Sequence, residues 1–141
     1  MHAQQRHKAV ILLVEDDPGD QELTRRAFHD GRLENEVHVV ENGEQALDYL
    51  FQRPPFDVPN AAPKPDLILL DLNMPRMDGR QVLARLKESA ELRGIPTVVL
   101  TTSCQVQDIL KSYDLGCNSF ITKPVDMDKF IAVIRELEHY W

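Results

Sequence analysis

The chain has 141 residues, 43% of them hydrophobic, and sets 16 Lys and Arg against 23 Asp and Glu for a formal net charge of −7. That length holds one domain with a full core and leaves no room for a second, while the acid excess argues against a nucleic-acid surface, which needs a basic patch to displace counterions. No apolar run approaches the roughly 20 residues that cross a bilayer, and the polar start from Met1 to Lys8 lacks a signal peptide's apolar core, so a cytoplasmic protein without a membrane partner is expected.

Residues 1–8 read as a flexible N-terminal segment and 9–141 as one domain. The run Val10-Ile11-Leu12-Leu13-Val14 predicts a strand over about Ala9–Glu15, apolar throughout because both faces are covered. Asp17-Pro18 follows as helix N-cap and first helical residue, with Leu23, Ala27 and Phe28 as the apolar stripe and Gly31 beyond the helix end. Glu36 to Glu41 predicts a second, short strand nearer the sheet edge, with Asn42-Gly43 as its turn. A helix with Ala46, Leu47, Leu50 and Phe51 on one face comes next.

Arg53 to Pro65 then carries Pro54, Pro55, Pro59, Pro63 and Pro65, a density that no helix or central strand tolerates. A stiff surface connection is the plainer reading, and a partner-binding loop the sharper one. Leu67-Ile68-Leu69-Leu70 is a third doubly covered strand, ending on Asp71 and stopped by Pro75. Met77-Asp78-Gly79 reads as a turn, and Arg80 to Ser89 as a helix with Val82, Leu83 and Leu86 inward. Thr97 to Leu100 is a fourth strand leading to Thr101-Thr102, and Gln105 to Leu115 a helix ended by Gly116. Phe120-Ile121-Thr122 is a short fifth strand before Lys123-Pro124. From Val125-Asp126 a last helix buries Phe130, Ile131, Ile134 and Leu137. Five such strand and helix units, joined by right-handed crossovers, give an α/β fold with a doubly wound five-stranded parallel sheet.

In such a sheet the polar residues at the strand ends meet at one edge, where crossover loops diverge and leave a crevice. Glu15-Asp16-Asp17, Asp71, Thr101 and Lys123 would gather there. Two carboxylates about 4 Å apart repel by roughly 4 kcal/mol at an effective dielectric of about 20, so a cluster of three calls for a cation. Magnesium suits an all-oxygen donor set, and it spreads the charge of a transferring phosphoryl group. Elsewhere the plain readings hold: Cys104 and Cys117 as reduced structural thiols, five scattered histidines without ligand spacing, and Arg25-Arg26 and Lys87-Glu88 on solvated helix faces.

The acidic cluster after strand one, Asp71-Leu72-Asn73-Met74-Pro75 at strand three, the threonine after strand four and Lys123-Pro124 after strand five closely resemble the receiver domain of two-component response regulators, along nearly the whole chain. The resemblance implies the flavodoxin-like (βα)5 fold and a signalling role rather than an enzyme's. It implies phosphorylation of Asp71 by a sensor histidine kinase. Mg2+ would be held by Asp16, Asp71 and the backbone carbonyl of Asn73, with Glu15 acting through water; the family often has aspartate where this chain has Glu15. Thr101 and Lys123 would bind the phosphoryl oxygens, and Phe120, often tyrosine in the family, would be the aromatic that moves with Thr101. A cis Lys123-Pro124 bond is implied too.

The start from Val14 to Asp20, the long proline-rich loop, and the stretch from Asp78 to Leu83 resemble, more finely, the phytochrome-associated response regulators. That subgroup takes phosphate from red/far-red light-sensing histidine kinases and is often dimeric. Here a homodimer would use the last helix and Tyr140-Trp141, residue types favoured at interfaces. The last helix runs nearly to Trp141, so no output domain is expected and the output would be a switched partner-binding surface. Two alternatives are a phosphatase with an aspartyl-phosphate nucleophile, for which Asn73 is the wrong acid/base, and a phosphorylation-independent binding module.

Overall fold

The computed structural model describes residues 9–30, 35–72, 79–101, 119–122 and 127–137. In chain order its elements are β1 (Ala9–Val14), α1 (Pro18–Asp30), β2 (Asn35–Val40), α2 (Gly43–Leu50), β3 (Leu67–Asp71), α3 (Gly79–Glu88), β4 (Thr97–Thr101), β5 (Ser119–Thr122) and α4 (Met127–Leu137). The expected Gln105–Leu115 helix, the Lys123-Pro124 bond and the Tyr140-Trp141 end lie outside the described residues. The five strands form one sheet in the order β2-β1-β3-β4-β5. Every pairing is parallel, and β2 takes the edge position expected of it.

Alternation along the central strands explains their unbroken apolar runs. Leu12, Val14, Ile68 and Leu70 point to one face, where Ala46, Leu47 and Tyr49 of α2 and Val82, Leu83 and Leu86 of α3 cover them. Ile11, Leu13, Leu67 and Leu69 point to the other, against Ala27 and Phe28 of α1 and Phe130 of α4. On that side the Phe28 and Phe130 rings meet edge to face with centroids 5.2 Å apart. At the strands' amino ends Asp66 ties β3 to β1 twice: its Oδ2 accepts the Val10 N–H at 2.8 Å, and its own N–H donates to the Val10 carbonyl at 2.7 Å.

Three local readings are corrected. Asn42-Gly43 is the start of α2 and not a free turn: Asn42 is its N-cap, extended, with its side chain accepting the Gln45 N–H. Gln45 in turn accepts the N–H of Glu41, one residue before the N-cap, at 2.8 Å, a variant of the capping box. In α2 the buried aromatic is Tyr49, whereas Phe51, the C-cap, is 40% exposed beneath the Arg53 guanidinium. In α1 the inward residues are Thr24, Ala27 and Phe28, and Leu23 is 44% exposed. Thr24 takes the core position because its hydroxyl donates back to the Asp20 carbonyl, which satisfies it within the helix.

The proline-rich segment is held down by Tyr49, whose hydroxyl donates to the Pro63 carbonyl at 2.8 Å and whose ring meets Phe56 at 5.4 Å. Gln52 adds a bond to the Ala62 carbonyl. These contacts give the plainer reading of the segment, a packed surface connection, a physical basis. Burial first, then the charge of Glu36, pushes the Tyr49 hydroxyl above the usual tyrosine range. A proton held more tightly in the folded state gives stability that is complete below the unfolded tyrosine pKa of about 10 and is lost as pH climbs above it. Tyr49→Phe is therefore expected to cost about 1 kcal/mol near neutral pH, the net worth of one hydrogen bond, and to flatten the loss of stability above about pH 10. Urea denaturation across that pH range checks both.

Candidate metal centre

β1 lies between β2 and β3, so the direction in which the chain winds reverses at the β1/β3 seam. This is the topological switch point, where a doubly wound sheet opens a crevice at the strands' carboxyl ends. Val14 pairs with Leu70, and one step further along this seam Glu15 faces Asp71. Both belong to the alternation series of Leu13 and Leu69, so both carboxylates leave the sheet on the same side.

The turn from β1 into α1 is fixed by bonds at Glu15 and Asp17. Glu15 donates its N–H to the Val40 carbonyl at 3.0 Å, and its carbonyl accepts the side-chain amide of Gln21 at 2.7 Å. The Glu15 carboxylate accepts the Asp17 N–H at 3.2 Å. Asp17 in turn accepts the Gly19 N–H on its side chain at 3.3 Å, the N-cap role expected of it. Across the seam Asp71 ends β3, and the next residue, Leu72, still donates to the Leu100 carbonyl at 3.0 Å.

Glu15 and Asp71 are buried and Asp16 is exposed, and each offers one carboxylate oxygen to a set that lies within 4.8 Å. Two buried carboxylates and one open to solvent suit a hard divalent cation that keeps some of its waters, as Mg2+ does. Asp17 is outside this set, spent on capping α1. Thr101 ends β4, whose Leu100 pairs with Asp71, and Thr101 pairs with Thr122 of β5. The backbone of Phe120 pairs with Val99. Asn73 and Lys123 lie outside the described residues.

Two residues at this site were not singled out by the sequence. Gln21 sits on the first turn of α1 with no motif to mark it, and its bond to Glu15 depends on a tight strand-to-helix junction that only the folded chain reveals. Gly79, read as a turn glycine, is instead the first residue of α3, packed on the backbone of Asp71 and Leu72. A glycine at the start of the helix that follows the Asp71 strand was the available signal for such a close approach.

Among the described residues no helix is long and apolar enough to cross a membrane. Residues 11–135 match the response regulator receiver domain. Response regulator Rcp1 of Synechocystis sp. is 37% identical over 94% of this chain and 88% of its own length. The Mn2+-bound form of Rcp1 superposes with a TM-score of 0.79, covering 94% of each chain. The bacteriophytochrome response regulator RtBRR is 44% identical with a TM-score of 0.85, over 96% of this chain and 81% of that one. The phosphorylated cyanobacterial phytochrome response regulator RcpA is 41% identical with a TM-score of 0.81, over 96% and 94%. With the parallel sheet, the acidic cluster at its switch point and relatives of this kind along nearly its whole length, the chain belongs to the response regulator receiver domains and is similar to phytochrome response regulators among them.

Proposed function

We propose that this protein is a phosphoacceptor of a cytoplasmic phosphorelay in which Asp71 takes a phosphoryl group from a phosphohistidine on a sensor kinase, a bacterial phytochrome. The observation that carries the reading is the meeting of Glu15, Asp16 and Asp71 within 4.8 Å at the mouth of β1 and β3. Relatives named as response regulators of phytochromes support the choice of kinase.

In the proposed step a carboxylate oxygen of Asp71 forms a bond to phosphorus while the phosphorus–nitrogen bond of the phosphohistidine breaks, and the imidazole leaves with the bonding pair and takes up a proton. The product is an acyl phosphate. Glu15, Asp16 and Asp71, with the backbone carbonyl of Asn73, would hold Mg2+, with Glu15 acting through water. When bound, the ion spreads the negative charge of the transferring group. Lys123 supplies a cation and Thr101 a hydroxyl to the phosphoryl oxygens. The phosphoryl group makes those contacts fully in one conformer, so its arrival shifts the population toward that conformer, with Phe120 following Thr101. The readout is a changed protein-binding surface, and α4 with Tyr140-Trp141 is the proposed face of a homodimer.

Intact mass after incubation with Mg2+ and a small phosphoryl donor tests this. The expected result is a single phosphoryl adduct that requires the cation, fails to form with a chelator and is lost in hydroxylamine, as an acyl phosphate is. A protein that binds Mg2+ and forms no adduct would overturn the phosphoacceptor reading in favour of a phosphorylation-independent module. Sizing of the same samples is expected to show a dimer.

A further inference from the structure

We infer that Gln21 is a positioning residue for the cation: its side chain sets the angle between the carboxylates of Glu15 and Asp16 by holding the peptide group that joins them. The inference rests on the reading of Glu15, Asp16 and Asp71 as a cation site.

Glu15 is tied to the sheet through its N–H, which reaches the Val40 carbonyl. Beyond that point the chain has left the sheet, and α1 begins at Pro18. The carbonyl of Glu15 belongs to the peptide unit shared with Asp16, and it accepts the Gln21 side-chain N–H at 2.7 Å. Rotating that unit turns ψ of Glu15 and φ of Asp16 together, and so swings one carboxylate relative to the other. Glu15 is buried and cannot follow such a swing, whereas Asp16 is exposed. Asp16 therefore depends on its backbone for aim.

Gln21 is itself held. Its backbone N–H donates to the Asp17 carbonyl at 2.9 Å in the first turn of α1, and its side chain is half-buried. The side chain thus runs from a rigid helix back to the one peptide unit between the sheet and the N-cap that carries two ligand residues. Groups outside the ligand shell that orient ligands in this way typically change metal affinity about 10-fold to 100-fold when removed. A bond made to the ligand's backbone and not to its donor atom belongs at the low end.

Gln21→Met tests this, because it keeps the length and helix propensity of the side chain and its zero charge while removing the donor. Arg25→Gln, on the exposed face of the same helix, is the control. Titration with Mn2+, read by the paramagnetic signal of the free ion, is expected to show affinity about 10-fold weaker in Gln21→Met and unchanged in Arg25→Gln. Adduct formation with a small phosphoryl donor should need about 10-fold more Mg2+ for half its maximal rate, yet reach a maximum within about twofold of wild type once Mg2+ saturates. That split separates aiming the ligands from general damage, and a melting curve without metal confirms that the variant is folded. Equal Mn2+ affinity in folded Gln21→Met and wild type overturns the inference and leaves the cation site standing. A lowered maximal rate at unchanged cation requirement overturns it as well. Absence of Mn2+ binding in wild type overturns the reading of the site itself.

Discussion

Asp71→Asn is expected to abolish the phosphoryl adduct and, in the absence of metal, to make the protein more stable than wild type. The carboxamide keeps the shape of the side chain at the end of β3 but offers no anionic oxygen to phosphorus. It also removes one of three carboxylates whose oxygens lie within 4.8 Å of one another. Two unit charges at that separation repel by roughly 3 to 4 kcal/mol at an effective dielectric of about 20. Solvent around the exposed Asp16 screens much of this, which leaves a gain of about 1 kcal/mol, or about 3 °C in melting temperature for a chain of this size. Adding Mg2+ reverses the order, because wild type binds the ion better and a ligand that binds only the folded state stabilises it by RT ln(1 + c/Kd) at free ion concentration c. Intact mass and paired melting curves with and without Mg2+ read all three effects. An adduct on Asp71→Asn would place the acceptor elsewhere, and a lower metal-free melting point would mean that Asp71 contributes more by its other contacts than it costs by repulsion.

Gly79→Ala is expected to destabilise the domain by about 2 to 3 kcal/mol and to slow adduct formation. A glycine-to-alanine change in a helix ordinarily stabilises by about 0.5 to 1 kcal/mol, so the sign here is diagnostic. The reason is local. A Cβ at Gly79 would lie 2.6 Å from the carbonyl oxygen of Asp71, 2.8 Å from the Cα of Leu72 and 2.9 Å from its Cδ2. Two of those atoms are backbone, so no change of rotamer relieves the clash, and the end of β3 must move with the acceptor on it. Gly94 has nothing within 4 Å of its own Cβ position. Gly94→Ala is accordingly expected to stay within about 0.5 kcal/mol of wild type and to leave the adduct rate unchanged. Urea denaturation with the initial rate of adduct formation decides the matter. A stabilised Gly79→Ala would show that the strand end yields more easily than its packing implies.

The central strands were legible because a strand buried on both faces must be apolar at every position, as Ile11 to Val14 and Leu67 to Leu70 are. Polar residues at the ends of such runs then stand out, which is how the sequence alone puts Glu15, Asp16 and Asp71 at one mouth. Helix faces were less legible, since a residue's period gives its direction but not what waits there. Phe51 fits the stripe of α2 by type, yet the helix ends at Leu50, and Tyr49 fills the inward place because the Pro63 carbonyl can accept its hydroxyl. Thr24 displaced Leu23 for a similar reason. Asn42-Gly43 was ambiguous in principle, because the dipeptide that makes a turn also makes a good helix start, and Gln45 three residues on decides for the cap.

The placing of β1 in the sheet has a consequence for how the protein comes into being. Its partnership with β2 closes early in the chain, whereas its other edge waits for β3, whose clamp joins Val10 to Asp66 across 56 residues. Closing so long a loop is the slow, entropically costly event in assembling a parallel sheet. Much of the later part of that loop is the proline-rich run from Arg53 to Pro65, and prolines narrow the set of shapes an unfolded chain explores. The run therefore acts on the search by which the two halves of the acidic crevice find each other, through the state of the chain before any crevice exists.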